Sequence, residues 1–151
     1  MSRYEDAPPE VIELVEGVRD SVFPELRRAK IKVLFDLKGR RSRGQFILGR
    51  IQAASQVVRY LTRQEARSEK GFDYILYLDK QVFQAIERAD QIRLIRHELR
   101  HCFFDPEARA NPYKLVGHEV EDFLAEIEYN QNDAQWRQRL AAIAASLYDQ
   151  D

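Results

Sequence analysis

His97, Glu98 and His101 fall at the spacing H-E-x-x-H in the run His97-Glu98-Leu99-Arg100-His101. On a helix, positions i and i+4 share one face, so two imidazoles can reach a single metal ion. Glu98 lies beside that face, where a carboxylate can act as general base towards a water activated by the metal. The chain has three histidines, and the third, His118, completes a set confined to the stretch from His97 to His118. That pattern points to zinc-assisted hydrolysis.

Catalytic zinc takes three protein ligands and keeps a fourth position open for water. His118 is the candidate for the third ligand: one loop separates it from His101, and Gly117 before it permits a close approach. Glu119, Glu121 and Asp122 are rival oxygen donors. A glutamate ligand backed by an acid four positions later does not fit, because Phe123 and Ala125 occupy those places. A longer motif with a third histidine after a glycine does not fit either, since Cys102-Phe103-Phe104-Asp105 follows His101, and the sole methionine is Met1. Asp122, one helical turn after His118, could accept the N–H of a ligating imidazole; a solvated surface acid is the alternative. Tyr113, on the loop between ligands, could donate to a developing oxyanion or contact substrate, against a packing role. Cys102 is expected in the core, and Arg93, Arg96 and Arg100 on a solvated helix face.

The elements that must carry these residues follow from periodicity. Pro8-Pro9 opens a helix with Val11, Val15, Val18 and Val22 on one side, ended by Phe23-Pro24. Ile31, Val33, Phe35 and Leu37 alternate as a half-buried strand, and Gln45 to Ala53 reads as a second, so the two are expected to pair as a hairpin. Val57, Val58, Tyr60 and Leu61 fit a short helix or a strand. Tyr74-Ile75-Leu76-Tyr77-Leu78 is a strand by composition, either an edge onto which an extended peptide adds or a buried central one. Helices follow from about Gln81: a motif helix capped by Asp90, another from near His118 through Phe123 and Ile127, and a last one bearing Trp136, Leu140, Ile143 and Leu147. This order predicts an α+β fold: an N-terminal helix, a small, mostly antiparallel sheet of three or four strands, the H-E-x-x-H helix and C-terminal helices.

With 151 residues, 44% of them hydrophobic and 32% charged, the chain is expected to form a single domain over residues 1–151. A net charge of −1 gives no global attraction to nucleic acid or anionic membrane. One cysteine excludes an internal disulfide, and the charged N-terminus is followed by no signal-type apolar region; both suit a cytoplasmic protein. No apolar run approaches the length of a membrane span.

The chain resembles the phage-type metallopeptidase domain family. The likeness is carried by Gly49, Asp73 to Asp79, Arg96-His97-Glu98-Leu99-Arg100-His101-Cys102 and Gly117-His118-Glu119-Val120-Glu121-Asp122-Phe123. In outline it is also similar to SprT-like and other minimal zincins. The resemblance implies one zinc ion held by His97, His101 and His118, Glu98 as catalytic base, and a peptide or protein substrate. Two other readings stand beside it. One is a zinc hydrolase acting on a different amide; the other is a DNA-associated metalloprotein using Lys38, Arg40, Arg41 and Arg43 in one loop.

Overall fold

Pro9 begins the first helix because its fixed φ suits the first helical position, where an amide hydrogen would have no partner. The computed structural model describes residues 2–117, 126 and 129–148. Within them the chain runs through strand β1 (Tyr4–Asp6), helix α1 (Pro9–Val22), β2 (Ile31–Asp36), β3 (Arg40–Ser42), β4 (Gln45–Ile47) and β5 (Gly49–Ala53). Helices α2 (Gln56–Leu61) and α3 (Arg63–Ala66) lead to β6 (Tyr74–Asp79), α4 (Lys80–Ala85) and α5 (Arg88–Leu99). The hairpin strands β7 (Cys102–Phe104) and β8 (Tyr113–Leu115) follow, and α6 (Trp136–Tyr148) is the last described helix. The fold is α+β, as the element order predicts.

The main sheet has four strands in the order β1-β2-β6-β5. Its outer pairs are antiparallel and its central pair, β2 with β6, is parallel. Residues 31–36 and 45–53 therefore do not form the expected hairpin. β6 lies between them because nearly every residue from Tyr74 to Asp79 is buried, which suits a strand paired on both edges and covered on both faces. The expected second strand breaks at Leu48, and its first part turns back on β3 as a small separate hairpin. Arg43 (φ 54°) and Gly44 (φ 77°) make the two-residue turn, both left-handed as such a turn requires. The ambiguous segment at Val57 is helix α2, capped by the Ser55 hydroxyl accepting from the Val58 N–H.

One face of the sheet presents Val33, Phe35, Ile51, Tyr74, Leu76 and Leu78 to the core. Val11, Val15 and Val18 of α1 and Leu94, Ile95 and Leu99 of α5 close it from the other side. Asp79 ends β6 and caps α4 at once, its carboxylate accepting from the Val82 N–H at 3.0 Å. The same carboxylate accepts the Tyr148 hydroxyl at 2.7 Å, which fastens the end of α6 to this junction. No helix among the described residues is long and apolar enough to cross a membrane.

Candidate metal centre

Helix α5 delivers the motif. Its N-cap position is Glu87, not Asp90 as the sequence suggests. Asp90 lies inside the first turn, buried, and receives Arg93 and Arg139 instead of the backbone. The helix buries Leu94, Ile95 and Leu99 and ends at Leu99, so His101 sits just beyond it. There the ladder tightens, with the His101 N–H donating to the Glu98 carbonyl at 3.1 Å, a three-residue step. The two motif rings still meet on one side: the His97 and His101 centroids are 5.9 Å apart at an interplanar angle of 82°. His97 and Glu98 are buried, and the His97 ring meets the edge of Trp136 at 6.3 Å.

His101 is held by Val116 through two hydrogen bonds of 2.7 Å. The Val116 N–H donates to the His101 carbonyl, and the Val116 carbonyl faces His101 Nδ1. A carbonyl can only accept, so Nδ1 carries the proton and the ring's lone pair is on Nε2. This is the tautomer that a metal-binding imidazole uses when its other nitrogen is fixed by a backbone oxygen. Two imidazoles sharing a tetrahedral zinc have ring centres roughly 5–5.5 Å apart, given Zn–N distances near 2 Å. The observed spacing lies within about half an ångström of that.

Glu98 lies across the start of β5. A Cβ added at Gly49 would stand 3.1 Å from Glu98 Cγ and 3.3 Å from Oε2, so the missing side chain leaves the room that the carboxylate uses. Burial pushes the Cys102 thiol well above its usual range; the Glu98 charge adds to this, although a hydrogen bond with Tyr74 opposes it. Cys102 is thus a protonated core residue, as expected.

Arg96 and Arg100 do not form the solvated face that their spacing suggests. Arg96 Nε donates to Glu126 Oε1 at 2.7 Å, and Arg100 Nη2 donates to Oε2 at 2.8 Å. Glu126 is fully buried. Arg96 also donates to Asn130 Oδ1 at 2.6 Å and stacks over Tyr129, while Arg100 lies over Phe23. Arg93 is paired with Asp90 and Asp133. Like charges four residues apart on a helix repel unless a carboxylate is shared between them. That cost is only about 0.2–0.5 kcal/mol, too small to point to a buried partner, so the local sequence carries no signal for Glu126.

Tyr113 is half-buried in β8, its ring against Tyr74 and Phe104. Burial raises its phenol, with Asp73 adding and Arg28 and Arg19 opposing. In the basic loop, Arg40 turns inward to Asp36 and the Tyr4 hydroxyl, and Arg41 stacks on Phe46. Burial alone would raise the Asp36 carboxyl, yet the Lys38 N–H, Arg40 and Arg3 outweigh it and hold the group below the usual carboxylate range. His118 and Asp122, the expected third ligand and its partner, lie outside the described residues, as does the helix expected from near His118 through Phe123. Among the described residues no three His, Cys, Asp or Glu side chains converge as a metal cluster.

An H-E-x-x-H sequence at the end of a helix on an α+β scaffold is the feature that bears on class. Residues 2–146 match the family described as "Putative phage metallopeptidase", and the chain belongs to that family. Membership implies a bound metal. No curated protein and no solved structure matches the chain.

Proposed function

We propose that this protein is a zinc-dependent peptidase in which His97, His101 and His118 hold one ion and Glu98 is the general base. The observation that carries the reading is the His97–His101 pair, two rings at ligand spacing with the His101 lone pair directed to Nε2 by Val116. Gly117 follows Val116 directly, and each residue advances the chain by at most about 3.6 Å. His118 is thus, in sequence, the second residue after the one that holds the His101 ring.

When bound, zinc would lower the pKa of water and polarise the scissile carbonyl. Glu98 takes the proton of the attacking water and passes it to the leaving amine. Its burial against Gly49 holds the carboxylate in one place and keeps bulk water from screening it. Tyr113, in β8 with its ring against Tyr74 and Phe104, is assigned to substrate contact. β6 is paired on both edges, so it is not the strand onto which a peptide adds. That role falls to β5, which of the two outer strands, β1 and β5, is the one that begins at Gly49 beside Glu98.

The test is Glu98→Gln in zinc-loaded protein. It should keep one zinc per chain and lose peptide hydrolysis by about a thousandfold or more. Activity equal to wild type would remove Glu98 from the mechanism.

A further inference from the structure

Glu126 is fully buried and takes two arginines at once, one on each oxygen. Those arginines are not arbitrary residues of α5: Arg96 immediately precedes His97, and Arg100 immediately precedes His101. We infer that Glu126 is a positioning residue for the metal site, because one carboxylate spanning Arg96 and Arg100 fixes the spacing of the two histidines that follow them.

The need for such a clamp arises from the helix end. His97 lies within α5, whose regular hydrogen bonds hold it. His101 lies beyond Leu99, where the backbone is kept by the short step to the Glu98 carbonyl and by the pair with Val116. On the other side, the Arg100 guanidinium reaches Glu126 Oε2 through Nε at 3.3 Å and Nη2 at 2.8 Å. Two-point guanidinium contact fixes orientation as well as distance. Asn130 and Tyr129 brace Arg96 from the same turn, whose backbone closes from the Asn130 N–H to the Glu126 carbonyl at 3.0 Å. Val116 and Glu126 thus tie the chain to the motif on either side of the stretch that contains His118. A slack clamp would let the two rings part while the rest of α5 stayed packed.

This inference rests on the zinc reading, and the experiment separates the two. Zinc affinity is measured by chelator competition on wild type, Glu126→Gln and Arg100→Lys, with apo-protein circular dichroism as the check on folding. Each is also loaded with Co²⁺, whose visible d–d bands report donor geometry. Glu126→Gln should bind zinc tenfold or more weakly and show altered cobalt bands. Arg100→Lys keeps its charge and most of its stem, and its site is partly exposed, so it should fold and bind severalfold more weakly. Unchanged affinity and cobalt spectrum in either folded variant would overturn the positioning role alone. Failure of the wild type to bind zinc would overturn the zinc reading, and this inference with it.

Discussion

The Glu98 side chain rests on the backbone of Gly49, with only 3.1 Å between its Cγ and the place where a Cβ would stand. A methyl group there must push the carboxylate aside by a few tenths of an ångström. Gly49→Ala should therefore lower kcat by about tenfold or more, since small displacements of a catalytic group are costly. Zinc content should stay at the wild-type level. Stability should hold or rise by roughly 0.5–1 kcal/mol, because alanine is better than glycine in a strand. A kinetic assay beside a melting curve checks this pairing of signs, and full activity would show that Glu98 has another place to go.

The gain and loss of legibility can be traced along α5. Its apolar positions and the H-E-x-x-H spacing are local, so the helix and its core face can be read directly from the residues. The end of the helix between the two histidines is not local, because it depends on Val116 arriving from β8. Likewise Arg93, Arg96 and Arg100 look like a wet surface until acids far along the chain, Asp133 and Glu126, are brought against them. Strand pairing failed for a related reason. Alternation in Ile31–Leu37 and Gln45–Ala53 gives two strands, but only the burial of Tyr74–Asp79 on both faces decides which strand comes between them.

Asp90 makes stability depend on pH. Arg139 chiefly, with Arg93, holds its carboxyl below the usual range against the opposing effect of burial. A depressed folded-state pKa adds stability above the unfolded value near 3.9 and loses it as pH falls through the folded value. Asp90→Asn should cost on the order of 1 kcal/mol at pH 7, since the buried Asp90 loses its charge while Arg139, its chief partner, can turn to solvent. The gap between variant and wild type should narrow below about pH 4. Urea unfolding from pH 7 to pH 3 measures it, and a constant gap would mean that the aspartate charge is not the stabilising element.

Tyr148 gives a second handle on stability that leaves the motif untouched. Its hydroxyl donates to the Asp79 carboxylate that also caps α4. Burial and the Asp79 charge raise the phenol above its ordinary range, so it stays a donor at neutral pH. Tyr148→Phe should lower stability by about 1 kcal/mol, the net value of one hydrogen bond. Zinc affinity should stay as in wild type, because no described contact joins Tyr148 to His97, Glu98 or His101. A melting curve and a chelator titration together test this, and a loss of metal would mean that loosening the end of α6 is felt at His97 through Trp136.

The third ligand decides whether the site is catalytic. Two histidines leave zinc weakly held, and the third protein donor makes the difference between a surface ion and a retained one. His118→Ala should reduce zinc in the purified protein from one per chain to a small fraction and abolish hydrolysis. Asp122→Asn should weaken zinc binding by roughly tenfold where Asp122 accepts from the His118 imidazole, and should leave it unchanged where Asp122 is a solvated acid. Elemental analysis of both variants against wild type is the measurement. If His118→Ala keeps its zinc while Glu119→Ala or Glu121→Ala loses it, the third donor is an oxygen. Glu98 would then work beside a less positive ion and a less acidic water.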